Sequence, residues 1–206
     1  MSESCCGAEK VDLQKKENTA LKKVVIWVLV INLGMFVVEV FAAYLAPSNA
    51  LLADSPDMLG DVLVYALSLL VLAKSEAAKI QVSLVKASIM AILALLVLGE
   101  AVNKILNPVL PVGELVTGVG VLALFANVIC LLLLLRHRHT DLNVSSAWIC
   151  SRNDVVANIG VILAGTMVFY FETMWPDVVV GILIACMVLV SSVGIVREAL
   201  QQKNTR

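Results

Sequence analysis

Apolar residues run through this chain in six long blocks, and polar residues fall mostly between them. An apolar run of about 18 residues or more reads as a membrane-spanning helix. The pattern predicts six such helices, at about 23–45, 52–73, 83–106, 115–135, 143–170 and 178–197. The segments between them, APSNA, KSEAAKIQ, NPVLPVG, RHRHTDLN and ETMWPD, are turn-like or charged. The expected fold is therefore an all-α membrane protein. Its six-helix domain covers 23–199, with a mobile N-terminal tail over 1–22 and a short C-terminal tail over 200–206.

Two blocks break their own pattern in the same way. Asp57 and Asp61 stand four apart in the second, and Cys150 and Asp154 stand four apart in the fifth. A spacing of i, i+4 puts both members of a pair on one helix face. A carboxylate at mid-bilayer depth costs about 2.5–3.5 kcal/mol on insertion scales, so its presence calls for a function. At a rise of 1.5 Å per residue, Asp61 lies ~13 Å from the start of its span and Asp154 ~16 Å from the start of its own. The two spans run in opposite directions through a core of about 30 Å, which brings both carboxylates to the midplane. The order ligand-x-x-x-Asp-Val-apolar recurs in the two blocks, a short internal echo.

Composition agrees with the pattern. The chain has 206 residues, 60% hydrophobic and only 15% charged, with a mean hydropathy of +0.95. The net charge of −1 is uninformative, and no basic stripe points to a nucleic-acid partner. The first residues, MSESCCGAEKVDLQKKENTALKK, lack the short apolar core and cleavage site of a secretory signal. Of the five cysteines, Cys5 and Cys6 are adjacent in the tail, and Cys130, Cys150 and Cys186 lie in separate apolar blocks. That is no disulfide framework, and reduced thiols are expected.

Basic residues set the orientation. Lys10, Lys15, Lys16, Lys22 and Lys23 precede span one; Lys74, Lys79 and Lys86 flank the second joint; Arg136 and Arg138 sit in the fourth; Arg197, Lys203 and Arg206 follow span six. All fall on one side if the spans alternate, and the other side holds only Lys104. The positive-inside rule then makes both termini cytosolic.

Three carboxylates and a thiolate suit a divalent ion, and the thiolate biases the set toward softer ions such as zinc, cadmium or lead. Fully ionised, the four groups outweigh the charge of one divalent cation in a low dielectric, so an empty site should hold protons that metal displaces. A site of alternating exposure would thereby exchange metal for protons. Blander readings stand beside this one. Asp57, next to Pro56, suits the first turn of a helix, although Asp54, nearer the outer surface, suits that place better. A buried cysteine is commonly a small apolar filler, and that reading is kept for Cys130 and Cys186.

Other polar residues in the spans are read as interhelical hydrogen-bonding groups: Asn32, Asn127 and Asn158. Asn158 alternatively supports Asp154 from one turn away. Asn32 and Glu39 share a face of span one. Arg152 falls near the midplane and calls for a buried acidic partner, either Glu39 or Asp57. If Arg152 pairs with Asp57, the site loses a ligand. His137 and His139 either feed metal to the site or are solvated loop residues. Cys5 and Cys6 either capture soft ions or are a chance pair in a tail.

Several of these segments resemble the cation diffusion facilitator family. The pattern N-x6-E (Asn32, Glu39) is similar to that family's opening motif. SNALLADSPDMLGD is similar to S-x-A-L-L-A-D-x-x-H-M-x-x-D, and EAVNKILNP (Glu100 to Pro108) to E-A-x-x-R-x-x-x-P. Gly120 and Asn127 match G-x6-N. NVSSAWICSRND resembles N-V-x-x-A-x-x-H-x-x-x-D, and Asp177 with Arg197, Glu198 and Ala199 matches the last span. The resemblance implies a multi-pass protein of the cell (plasma or inner) membrane, usually a homodimer, exporting divalent metal in exchange for protons by alternating access. It carries the metal site onto Asp57, Asp61, Cys150 and Asp154. It implies no permanently bound cofactor and no enzymatic activity. Asp57 and Cys150 stand where the zinc-type pattern has histidines. The family's usual cytosolic domain after span six is not expected in this chain, so a homodimer would form through the membrane helices. Zinc or cadmium is the favoured cargo. The alternative function is a degenerate, non-transporting metal-binding protein or accessory subunit.

Overall fold

The structure, a computed structural model, describes the backbone of residues 3–71, 76–135 and 142–204, and the side chains of most of 22–63, 84–135 and 154–197. Among the described residues there are six helices and no strands: α1 (Glu3–Leu45), α2 (Asn49–Val71), α3 (Glu76–Leu106), α4 (Gly113–Leu135), α5 (Leu142–Phe171) and α6 (Trp175–Asn204). The 23 residues of α4 reach about 35 Å, enough to cross a bilayer. Among the described residues, five helices contain stretches long and apolar enough to be spans. α2 carries three aspartates, Asp54, Asp57 and Asp61, in its first half.

Several helices run past the apolar blocks that announced them. α1 begins at Glu3 rather than near 23, so the expected tail is helical almost from its start, and α6 continues to Asn204 rather than 197. Apolar length measures the part inside lipid, whereas Ala, Leu, Glu, Lys and Gln extend a helix into water at little cost. α2 starts three residues early because Ser48 caps it. The Ser48 hydroxyl accepts a hydrogen bond from the Leu51 amide at 3.2 Å, a standard N-terminal cap. α5 closes on Glu172, at φ 50°, before the short turn into α6.

The bundle is apolar outside and polar within. Trp27, Phe41, Tyr44, Leu96, Phe125, Tyr170 and Val190 stand exposed on its flanks, while Asn32, Glu39, Asp54, Asp61, Lys104, Asn127, Asp154, Asn158 and Asp177 are buried. In water this arrangement would be costly; in lipid it is the stable one.

α2 touches all five other helices and is the centre of the bundle; α4 packs closely on α5, α3 on α6, and α1 on α2. Small residues permit the closest approaches. A side chain on Gly165 of α5 would place its Cβ 2.6 Å from the Thr117 hydroxyl and 2.7 Å from the Thr117 amide of α4. Gly181 of α6 lies against the start of α2, where a Cβ would come within 2.7 Å of the Asn49 backbone. The joints α1–α2, α3–α4 and α5–α6 gather at one end of the bundle. The Val112 amide there donates to the Ala46 carbonyl at 3.2 Å.

Candidate transport site

The central helix carries the acids. Asp54, Asp57 and Asp61 follow one another at i, i+3 and i+7, a spacing that returns each to the same face of α2. Pro56 sits among them and removes the helical donor to the Leu52 carbonyl. Asp61 is buried near the middle of α2 and Asp154 is buried near the middle of α5. The two helices are in contact, and both residues interact with other groups of the protein. Asp57 is half-buried.

Further groups approach from α1 and α4. Cys130, fully buried on α4, lies within electrostatic range of Asp61. The Asn32 amide of α1 donates to the Cys130 sulfur at 3.7 Å and to its own helix at the Val28 carbonyl, 2.9 Å away. The thiol read from sequence as filler thus has a polar neighbourhood beside a candidate ligand. Asn158 differs from its expected interhelical role. Its amide donates to the Asp154 carbonyl one turn back on the same helix, at 2.7 Å. This bond holds the side chain beside Asp154 on α5 itself.

Of the other residues singled out by sequence, Cys150 and Arg152 belong to α5 and Cys5 and Cys6 to α1, but their side chains lie outside the described residues, as do His137 and His139 entirely. Among the described residues, no three of His, Cys, Asp and Glu converge closely enough to hold a metal. Asp57, Asp61 and Asp154 are therefore not drawn into a closed cage.

Two constellations were not read from the sequence. Asp54 was placed near the outer surface at a helix start; it is instead inside α2 and buried, with 1% of its surface exposed. Its carboxyl lies within hydrogen-bonding reach of the fully buried carboxyl of Glu39 on α1. The i, i+3, i+7 repeat of 54, 57 and 61 was the available signal.

The second constellation centres on Asp177, at the start of α6. One oxygen accepts from the Ser48 hydroxyl at 2.5 Å and the Ala50 amide at 3.2 Å; the other accepts from the Asn49 amide at 2.7 Å and the Lys104 ammonium at 2.8 Å. The Lys104 ammonium also donates to the Pro47 carbonyl. Asp177 is 0% exposed and Lys104 4%. One carboxylate thus caps α2 from another helix and neutralises the lysine that ends α3. Lys104, which the charge count set apart from the other bases, is held inside the protein.

A bundle with an apolar exterior and acids turned inward on its central helix defines a multi-pass membrane protein with a polar interior. The chain belongs to the family described as the cation efflux transmembrane domain, which it matches over residues 25–202. It is 24% identical over 195 residues to the cadmium, cobalt and zinc/H(+)-K(+) antiporter of Bacillus subtilis (strain 168), covering 88% of this chain and 63% of that protein. It is also 24% identical over 186 residues to the zinc transporter ZitB of Escherichia coli (strain K12), covering 84% of this chain and 59% of that one. The chain thus spans about three fifths of the length of the curated relatives it matches. The family is one of transporters of the cell membrane.

Proposed function

We propose that this chain moves a divalent metal ion of the zinc and cadmium type across the membrane by alternating access, outward from the cytosol and in exchange for protons. The observation that carries this reading is the pair of buried aspartates, Asp61 and Asp154, near the middles of two helices in contact. The names of the similar antiporter and zinc transporter support the cargo and the proton coupling.

Asp61 and Asp154 are the core ligands in this reading, with Asp57 and Cys150 completing the set. An oxygen-rich site with one sulfur accepts zinc and cadmium. Its carboxylates bind protons when metal leaves and release them when metal enters, so one set of groups serves both ions. Both termini lie in the cytosol, which puts the Ser48 and Asp177 end outside. The assembly is a homodimer formed through the membrane helices.

The test is reconstitution in vesicles with a pH-sensitive dye and an imposed zinc or cadmium gradient. Wild type should move protons against metal, and the double variant Asp61→Asn, Asp154→Asn should move neither. Undiminished exchange by the double variant refutes the proposal. Metal binding by wild type with no counter-flow of protons favours a metal-binding protein that does not transport.

A further inference from the structure

The carboxyls of Glu39 and Asp54 lie within hydrogen-bonding reach of each other between α1 and α2, 0% and 1% exposed, and none of their four oxygens meets a donor from any other described residue. Asp57 adds its negative charge from one turn along α2. The buried lysine of this end is no help, because Lys104 is committed to Asp177 and the Pro47 carbonyl. Two carboxyls in reach of each other and out of water are strongly unfavourable as a pair of anions, and either a shared proton or a bound cation relieves them. Glu39 comes from a different helix than the row of aspartates and is aimed into it. The arrangement is thus a built juxtaposition and not a mere run of acids along one helix.

Position gives the pair a task. Seven residues separate Asp54 from Asp61 on one face of α2, about 10 Å at 1.5 Å per residue, in the direction of the Ser48 end. Asp57 stands between them. Oxygen-only sites with few ligands hold divalent cations loosely, with water completing the shell, as suits a point of passage.

We propose that Glu39 and Asp54 form a second, outer station for the transported divalent cation, on its route between Asp61 and the Ser48 end of the bundle. This rests on the transport reading above, and its test is separable from it. Mn2+ is the probe, because it prefers oxygen ligands and its electron paramagnetic resonance signal reports binding directly. In purified Asp61→Asn, Asp154→Asn protein, about one equivalent of Mn2+ should remain bound, more weakly than in wild type. Adding either Glu39→Gln or Asp54→Asn should abolish that residual binding. If the combined variants fail to fold, the same loss of one equivalent should appear when Glu39→Gln is made in the wild-type chain.

Residual binding that survives both substitutions overturns the station. So does the absence of residual binding in folded Asp61→Asn, Asp154→Asn protein, including the case in which the pair exchanges only protons. Wild-type vesicles that move no metal would overturn the transport reading, whereas Mn2+ retention by Glu39 and Asp54 is scored independently of transport.

Discussion

Replacing Asp177 by alanine should be the most destabilising single change at the Ser48 end of the bundle. The carboxylate receives four hydrogen bonds at 2.5–3.2 Å, from a hydroxyl, two backbone amides and an ammonium, with no exposure of its own. Its loss strands the Lys104 charge in a site 4% exposed, and breaking a buried pair by removing one partner costs about 3–5 kcal/mol. Loss of the cap on the Asn49 and Ala50 amides adds roughly 0.5–2 kcal/mol. Lys104→Met should cost less, because Asp177 keeps the Ser48 hydroxyl and the two amides. The double variant should fall well short of the sum, since the stranded lysine is then gone. Denaturation in detergent, followed by circular dichroism for all three variants, measures each term. An Asp177→Ala cost below about 1 kcal/mol, the scale of an exposed ion pair, or strict additivity in the double variant, would refute the reasoning.

Gly165→Leu should lower the thermal midpoint through collision with Thr117, at a cost of about 1–3 kcal/mol, while Gly34→Ala, which meets nothing within 4 Å, should stay within about 0.5 kcal/mol of wild type. In cells stripped of their own exporters, Cys150→Ser should reduce cadmium tolerance more than manganese tolerance; equal loss returns the residue to packing. Gly181→Ala should loosen α6 from α2, since its Cβ would stand 2.7 Å from the Asn49 backbone, and faster amide exchange at Asn49 and Ala50 is the measurement.

The helices were legible because lipid demands long apolar runs, and nothing else in a chain of this size explains them. Their ends were not, because residues such as those of 3–22 lengthen a helix without lengthening the apolar block. The burial of Asp61 and Asp154 was legible for the opposite reason: a carboxylate deep in an apolar run is carried into the bundle with it. Asp54 was misplaced because the sequence shows only that it is near a helix start, and the burial comes from α1 folding over it. The partnership of Lys104 with Asp177 was hidden for the same kind of reason. Spacing along one helix says which residues share a face and nothing about which other helix lies opposite, and these two are in separate helices. The charge count did isolate Lys104 as an oddity, which was the one signal available.

The cap on α2 also constrains how the molecule can move. Because Asp177 seizes the first amides of α2 and the last lysine of α3 together, the ends of α2, α3 and α6 are bolted into one rigid corner. On the other flank α4 and α5 are locked by backbone contact at Gly165. Any swing that opens the space around Asp61 and Asp154 therefore has its seam between α2 and α5. The two acids sit on opposite sides of that seam, so in the transport cycle proposed above its opening draws them away from each other.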